Sequence, residues 1–189
     1  MIGSPTAARL GRHAVELVAQ EGIPALSDGE LARRAGVSEV VLDRAHGGAV
    51  ACLLGAYDGL AEDLYRVVER CLHTEDAWEP ALASALDALL VWCIDQPAAA
   101  RLMFFEIMRG DHVMRRRRDI ARQRMVDLLI EQYRRRPGAE DLPDLQFEVL
   151  WGAVGHAITS WIEDGREDEL HALAPELDRL AAVFEPLAA

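Results

Sequence analysis

The chain has 189 residues, of which 20 are basic and 32 acidic, and its formal net charge is −12. All 20 basic residues are arginine, and lysine is absent. Because non-specific affinity for nucleic acids comes mainly from many cations that face phosphates, this composition excludes a general nucleic-acid coat protein. A content of 51% hydrophobic residues at this length predicts a folded protein that buries about 70% of its unfolded surface.

The cysteines, the N-terminal residues and the longest uncharged stretch indicate the cellular compartment in which we expect the protein. Three cysteines form no C-x-x-C pair and leave an odd number, which argues against a disulfide framework and a zinc ribbon. We therefore expect a cytoplasmic protein without a metal site or a cofactor. Residues 1–12 lack the apolar core of a secretion signal. The uncharged stretch at residues 149–162 has 14 residues, fewer than the roughly 20 needed to span a bilayer, so no membrane association is expected.

Apolar residues recur at intervals of three and four along almost the whole chain, a spacing that predicts an all-α protein. The first predicted helix covers about residues 6–20 and ends before Gly22, which suits a helix C-terminus. Two short helices between residues 27 and 46 come next, followed by a long amphipathic helix at about residues 49–72. The remaining five helices are predicted at about residues 78–96, 97–109, 111–136, 142–164 and 167–187, which makes nine in total.

The eighth predicted helix is apolar on more than one side between residues 146 and 162, which indicates that it is covered on both sides. Gly152 and Gly155 would let another helix approach closely. The last predicted helix carries a second apolar stripe. A four-helix contact between two copies of the chain would cover both stripes, and packing within one chain is the alternative. The residues predicted for this homodimer interface are Val154, Ile158, Trp161, Leu173, Leu177, Leu180 and Phe184.

Residues 27–46 have the spacing of a helix-turn-helix. Ser27 and Glu30 form a predicted capping box, in which the serine oxygen and the glutamate carboxylate each accept a backbone N–H at the helix start. Gly36 can adopt the left-handed conformation of a tight turn, and Ser38 can cap the second helix. The pattern therefore predicts two short helices that cross at close range.

The flanking sequence extends this pattern. A first helix ending in Ala-Gln-Glu-Gly at residues 19–22, followed by Leu-Ala-Arg-Arg-Ala-Gly-Val-Ser at residues 31–38, resembles the N-terminal domain of the tetracycline-repressor (TetR) family of regulators. The long fourth helix, the segment at residues 97–108 and the tryptophan-containing pattern at residues 151–165 agree with it. The resemblance covers nearly the whole chain, and its specific motifs lie in the first fifty residues.

This resemblance implies a homodimer of all-α subunits, with a three-helix head at residues 1–48 and a ligand-binding and dimerisation domain at residues 49–189. In such proteins, helices two and three bind double-stranded operator DNA, and the second domain holds a small apolar or amphipathic effector. Helices eight and nine form the dimer contact. Effector binding changes the spacing of the two heads, which must match half-sites about one helical turn apart or a multiple of it. We therefore expect a ligand-responsive transcriptional regulator, specifically a repressor.

The predicted recognition helix departs from the family pattern. The family usually has a lysine after the first serine and another at the start of the fourth helix, and the matching residues here are Glu39 and Ala49. Glu39 and Asp43 place negative charge where a DNA backbone would lie, although acidic residues can accept hydrogen bonds from cytosine amino groups. Residues 1–50 hold 5 arginines and 6 acids, a net charge of −1. The residues predicted to contact DNA are Ser27, Arg33, Arg34, Ser38, Glu39, Val40, Arg44 and His46, with Arg9 and Arg12 as further phosphate partners.

Residues 109–136 contain 10 arginines and 4 acids, a net charge of +6 within an acidic protein. Arg115 to Arg118 are consecutive and therefore point in all directions around a helix. One interpretation is a solvated helix whose arginines pair with acids elsewhere. The second is a surface for nucleic acid or an acidic partner, and the third is a site for a phosphorylated or carboxylated ligand with Arg109 or Arg122.

Aromatic and methionine residues concentrate after residue 77, where they line either an adaptable apolar pocket or a plain core. The effector site predicted from them consists of Trp92, Phe105, Met108, Met125, Trp151 and His156. His156 is expected to be buried, because it lies in an apolar stretch of helix. No glycine-rich phosphate loop, H-E-x-x-H or serine elbow motif occurs, so no enzymatic activity is expected. The alternative function is a dimer of the same fold that binds a ligand or a protein and reads DNA weakly or not at all.

Overall fold

The computed structural model describes residues 5–139 and 141–182, and within these ranges the chain forms nine α-helices and no β-strand. The predicted all-α class is confirmed. Three 3₁₀ segments, Ile23–Ala25, Glu106–Arg109 and Glu167–Leu173, lie between helices. The helices are α1 Pro5–Glu21, α2 Asp28–Ala35, α3 Glu39–His46, α4 Gly48–Leu72, α5 Trp78–Asp95, α6 Pro97–Phe104, α7 His112–Arg134, α8 Asp144–Glu163 and α9 Ala174–Ala182.

Two predicted helices are shorter than expected. The helix predicted at residues 97–109 ends as α6 at Phe104, and a 3₁₀ segment follows it. The helix predicted at residues 167–187 begins as a 3₁₀ segment and becomes α-helical only at α9. Pro175 explains this start, because a residue without an N–H is tolerated in the first turn of a helix and not in its interior. The predicted end of that helix, at residues 183–187, lies outside the described residues.

Contacts divide the described chain into two units. The first contains the residues up to Ala61 and the segment Ala98–Arg118. The second contains Glu62–Pro97 and the residues from Asp119 onward, so that α4 and α7 contribute residues to both units. The functional boundary predicted at residue 48 lies at the start of α4 and stays a prediction.

In the first unit, α1 packs on α2, and α2 packs on α3. Leu10 and Leu17 of α1 are fully buried, as are Leu31 of α2 and Leu42 of α3. Each of these helices therefore turns an apolar face inward, as the spacing of three and four predicts.

The start of α4 is held by a carboxylate from α2. Asp28 Oδ1 accepts the backbone N–H of Ala49 at 2.6 Å. Gly47 and Gly48 precede that N–H with φ values of 73° and 87°, in the left-handed region that glycine adopts without strain. A carboxylate at this place satisfies an N–H that has no partner within the helix and faces the positive end of the helix dipole. Asp28 therefore ties α2 to α4.

In the second unit, α5 packs against the segment Glu167–Leu173 and against α9. Leu170, Leu173 and Leu177 are buried, and so are Leu82 and Leu89 of α5. The apolar stripe near the C-terminus is thus covered within one chain. Among the described residues, no helix by itself is long and apolar enough to cross a bilayer.

Aromatic rings join α5, α7 and α8 in the second unit. The ring centroids of Trp78 and Tyr133 are 5.2 Å apart, and those of Tyr133 and Phe147 are 5.4 Å apart. The Arg136 guanidinium lies 5.3 Å from the Trp78 ring centroid and donates a hydrogen bond to the carbonyl oxygen of Leu72 at 2.9 Å. This arginine therefore connects the end of α4 to the aromatic cluster.

Replacement of Asp28 by alanine removes the cap of α4. We expect the free energy of unfolding to fall by about 1 kcal/mol, the usual cost of losing a helix cap, and the melting temperature to fall by about 2–4 °C. Thermal unfolding followed by circular dichroism measures this change. The control is Asp43→Ala, because Asp43 is an exposed acid of α3. Equal melting temperatures for the two variants would contradict a capping role for Asp28.

Candidate nucleic-acid interface and effector cavity

The helix-turn-helix forms as its spacing predicts. Ser27 Oγ accepts the N–H of Glu30 at 3.3 Å, and Ser38 Oγ accepts the N–H of Val41 at 3.3 Å. Gly36 ends α2 with φ 66° and ψ 36°, a left-handed conformation. The two serine caps and the glycine turn are confirmed, and they fix how α3 leaves α2.

Glu30 does not complete the predicted capping box. Its carboxylate accepts hydrogen bonds from Arg33 Nε at 2.9 Å and from Arg34 Nε at 2.8 Å. Hydrogen bonds from Arg33 and then Arg34 hold the pKa of Glu30 at about 2, below its ordinary value of 4.5. This half of the capping box was wrong because charged donors one turn away bind a carboxylate more strongly than a neutral backbone N–H does.

The two arginines of α2 that are predicted to contact DNA differ in exposure and in their ion pairs. The Arg34 side chain is 22% exposed and also pairs with Glu21, so it joins α2 to α1. The Arg33 side chain is 70% exposed and has its ion pair with Glu30 alone among the described residues. Arg33 can therefore turn toward a phosphate, whereas Arg34 is held by the packing of the head. A DNA contact by either residue stays a prediction.

Most acidic groups of the head have a partner inside it. Glu16 lies 3.4 Å from His13, and Glu21, Asp28 and Glu30 have the contacts described above. A Cβ atom placed on Gly29 would lie 3.1 Å from Glu39 Oε1, so the Glu39 carboxylate rests against the first turn of α2. Most of the negative charge of the head therefore has a guanidinium, imidazole or helix N-terminus beside it, although these acids, apart from the half-buried Glu30, are exposed.

The exposed residues of α3 include two valines, one arginine and the acids Glu39 and Asp43. Val40 is 59% exposed and Val41 47% exposed, Arg44 is exposed, and His46 is half-buried. Leu42 points into the core and is fully buried. Val40 and Arg44 are four residues apart and so share one face of the helix. Among the described residues, Arg44 has no ion pair, and the same is true of Arg9 and Arg12, which are both exposed.

The second unit contains a small cavity with entirely apolar walls. Its volume is about 10 Å³, which is the space of about one water molecule. Side chains of α4, α5, α7 and α8 line it, including Leu86, Leu129, Val154 and Trp151. Trp151 is the one predicted effector residue among them. The lining leucines gave no separate signal in the sequence, because a core leucine and a cavity leucine have the same helical spacing.

The other predicted effector residues have different surroundings. Trp92 is buried and donates its Nε1–H to Asp63 Oδ2 at 2.9 Å, and Met125 is also buried. His156 is exposed, so its predicted burial was wrong. The physical reason is its place on α8, where Val154 and Ile158 point into the core and His156 lies on the opposite side.

Phe105 and Met108 belong to the first unit. The Phe105 ring centroid lies 4.1 Å from Arg109 Cζ and 5.0 Å from Arg101 Cζ, so its ring faces carry two guanidinium groups. Met108 is 45% exposed. Arg109, one of the two arginines considered for an anionic ligand, is therefore placed on an aromatic ring. An effector contact by Phe105 or Met108 stays a prediction.

Four residues predicted for the dimer interface point into their own chain. Val154 and Ile158 are fully buried, and Leu173 and Leu177 are 1% and 2% exposed. Their side chains are covered within one chain, Leu173 and Leu177 by α5 and α8, and a dimer contact by any of the four stays a prediction. Trp161 and Leu180 are half-buried, with Arg166 Cζ 3.8 Å from the Trp161 ring, and Phe184 lies outside the described residues.

A different face of α8 remains uncovered in the single chain. Leu145 is 66% exposed and Val149 55% exposed, and Gly152 and His156 continue the same line of the helix and are exposed too. A Cβ atom placed on Gly152 would have no atom within 4 Å. The sequence feature that prompted a dimer, an apolar face on each side of this helix, is therefore present, but the outer face consists of other residues.

The arginines of α7 are largely neutralised by acids. Arg117 lies 2.7 Å from Asp58 in the first unit, and Arg124 lies 3.0 Å from Glu62 in the second. Arg134 and Arg122 have carboxylate partners on α8, at 2.7 Å and 3.7 Å. These contacts support the interpretation of a solvated helix paired with acids, which explains how a positive segment persists in an acidic protein.

The three cysteines Cys52, Cys71 and Cys93 are unpaired. Burial raises the pKa of the Cys93 thiol to about 12, as expected of a core residue. Within the described residues, no group of three or more His, Cys, Asp or Glu side chains is placed to hold a metal ion.

Comparison with known proteins identifies the fold. No protein-family model matches the sequence, and no curated protein is similar to it. The fatty acid degradation regulator FadR from Bacillus halodurans superposes with a TM-score of 0.84 at 14% identity, over 98% of this chain and 99% of that one. FadR from Bacillus subtilis, solved in complex with stearoyl-CoA, gives a TM-score of 0.80 at 15% identity, over 92% and 96% of the two chains.

A third solved structure extends the comparison. PfmR from Thermus thermophilus, a TetR family transcriptional regulator, gives a TM-score of 0.71 at 19% identity, over 96% of each chain. The similarity to all three covers nearly the whole length of both partners. The chain therefore has the fold of the TetR-family regulators, and the fold implied by the sequence resemblance is confirmed.

Proposed function

We propose that this protein is a dimeric TetR-type transcriptional repressor that binds operator DNA through α2 and α3 and responds to an amphipathic effector. The observation that carries the proposal is the capped helix-turn-helix at residues 27–46 in a chain with the TetR-family fold. In this proposal the functional boundary lies at residue 48, with the DNA-binding head before it and the effector and dimer domain after it.

The charge distribution of the head supports DNA binding better than its net charge suggests. Glu30 is neutralised by two arginines, and Glu39 and Asp28 lie against helix starts. The exposed arginines Arg9, Arg12 and Arg44 remain available for phosphates or bases. The N-termini of α2 and α3 can also donate backbone N–H groups to phosphates.

The DNA-binding proposal predicts that the purified protein protects two half-sites in the DNA flanking its own gene. Arg44→Ala should weaken binding about tenfold, the usual cost of losing a phosphate or guanine contact, and affinity should fall as salt is raised. Footprinting and gel-shift titration at two salt concentrations measure both effects. The matched control is Arg124→Ala, since Arg124 is also an exposed arginine, lies in the second unit and pairs with Glu62.

Failure of this experiment has a clear meaning. If a protein of verified dimer mass retards none of the flanking DNA at low salt, operator binding is contradicted. The alternative, a ligand-binding or protein-interaction dimer of the same fold, would then be favoured.

We assign the dimer contact to the outer face of α8, formed by Leu145, Val149, Gly152 and His156. Two exposed apolar side chains and a glycine on one line of a helix form a surface that a second helix can approach closely. A pair of α8 helices would also bring α9 of each chain near the contact.

Val149→Arg should place a charge in this contact and convert the dimer to a monomer. Light scattering coupled to size-exclusion chromatography measures the mass, which should fall by half at micromolar concentration. The control is Val113→Arg, because Val113 is a 40% exposed valine at the start of α7. A dimer that persists in Val149→Arg would show that the contact lies elsewhere.

The effector site is assigned to the apolar cavity beside Trp151. Its wholly apolar lining suits a hydrocarbon chain, and its volume of about 10 Å³ means that core side chains must move to admit one. The structural neighbour from Bacillus subtilis holds stearoyl-CoA. We therefore propose a long-chain acyl compound as the effector, with its chain in the cavity.

Stearoyl-CoA should change the fluorescence of Trp151 and release the protein from its operator. Trp151→Phe should abolish the fluorescence change, whereas Trp161→Phe, which alters a half-buried tryptophan stacked on Arg166, should retain it. Titration of each variant with stearoyl-CoA and with CoA alone provides the measurement. An equal response to CoA alone, or none to either compound, would contradict an acyl-chain site.

A further inference from the structure

The polar side chains at the start of α3 already have contacts within the head. Ser38 Oγ is engaged by the N–H of Val41, and the Glu39 carboxylate rests against Gly29 of α2. The next two residues are Val40 and Val41. In helix-turn-helix proteins, the N-terminal residues of the recognition helix are the ones that contact base edges in the major groove.

Val40 and Val41 are two adjacent apolar residues of α3 that are both exposed. Val40 is 59% and Val41 47% exposed, whereas Leu42 of the same helix is fully buried. Valine is also a weak helix former, so neither helix propensity nor core packing explains its presence at these two positions. A contact with a partner outside the chain would account for two adjacent exposed valines on a helix that also carries the exposed Arg44.

DNA offers one apolar group in the major groove, the C5-methyl of thymine. A valine side chain has no donor or acceptor, so it can distinguish base pairs there only by contact with that methyl group. Arg44 lies one turn after Val40 on the same face, is exposed and has no ion pair among the described residues. A cation beside the two valines favours DNA over an apolar protein surface as the occupant of this face.

We propose that Val40 and Val41 recognise thymine methyl groups in each operator half-site, and that this contact is the main source of sequence specificity in the first turn of α3. The inference rests on the operator binding proposed above and adds the chemical group that is recognised. Removal of one methyl group from an apolar contact should weaken binding about fourfold, which corresponds to about 0.8 kcal/mol for one buried carbon.

The experiment replaces each thymine of the footprinted operator by deoxyuridine, one position at a time. Deoxyuridine keeps every hydrogen-bonding group of thymine and lacks the methyl group. Gel-shift titration should show about a fourfold loss of affinity at one or two thymines in each half-site, and no loss at thymines outside the half-sites.

Two variants test whether the valines cause this loss. Val40→Ala and Val41→Ala change exposed positions, and alanine favours the helix, so both should fold. Each should bind the thymine operator about fourfold or more weakly and should lose the difference between thymine and deoxyuridine at its own position. The control is Val91→Ala, a 56% exposed valine of α5 in the second unit, which should retain the full difference.

The outcomes separate this inference from the function on which it rests. Absence of specific binding to any DNA contradicts the proposed function. Specific binding that is equal for thymine and deoxyuridine at every position overturns the inference and leaves the function standing. A deoxyuridine effect that persists unchanged in both alanine variants also overturns it, because the effect would then arise from the shape of the DNA. Binding that is insensitive to deoxyuridine while the valine variants lose a protein partner would assign the face to protein contact.

Discussion

The charge that the head presents to solvent depends on the carboxylate of Glu30, which accepts hydrogen bonds from Arg33 and Arg34. Without these ion pairs, α2 would present two cations and one anion to solvent, and Arg34 would lose part of the network that joins it to α1. Exposed ion pairs contribute little to stability, so their main consequence concerns the charge that faces outward. The head has a net charge of −1, but most of its acids have a partner within the head, whereas Arg9, Arg12 and Arg44 are exposed and have no ion pair among the described residues.

In the second unit, packing within the chain determines which apolar surface stays exposed. The stripe of the segment Glu167–Leu173 and α9 is covered by α5, and this leaves the outer face of α8 as the apolar surface. One helix can thus contribute both to the core and to a contact between chains, because its two sides carry different residues. Val154 on the inner side is buried, and Val149 on the outer side is exposed. Placement of the effector cavity on the inner side of the same helix, at Trp151 and Val154, puts the proposed ligand and dimer contacts on adjacent faces.

The small volume of the cavity indicates how an effector could change the conformation of the protein. Walls made only of aliphatic and aromatic side chains exclude water, so an effector must displace core residues in order to enter. Packed helices have discrete arrangements and do not deform continuously, and a ligand that favours one arrangement shifts the population toward it. A cavity that is nearly closed without ligand is therefore compatible with an effector site.

The helical class, the positions of most helices, and the two serine caps with the turn at Gly36 could be predicted from the amino-acid sequence, because these features depend on contacts between residues a few positions apart. The partners of charged and apolar groups depend instead on how distant helices pack. Packing between helices that are distant in the chain produces three such contacts: Asp28 with the start of α4, Arg34 with Glu21, and Leu173 and Leu177 with α5. Helical periodicity shows which face of a helix is apolar and must be covered. It does not show whether the same chain, a second copy or a ligand covers that face.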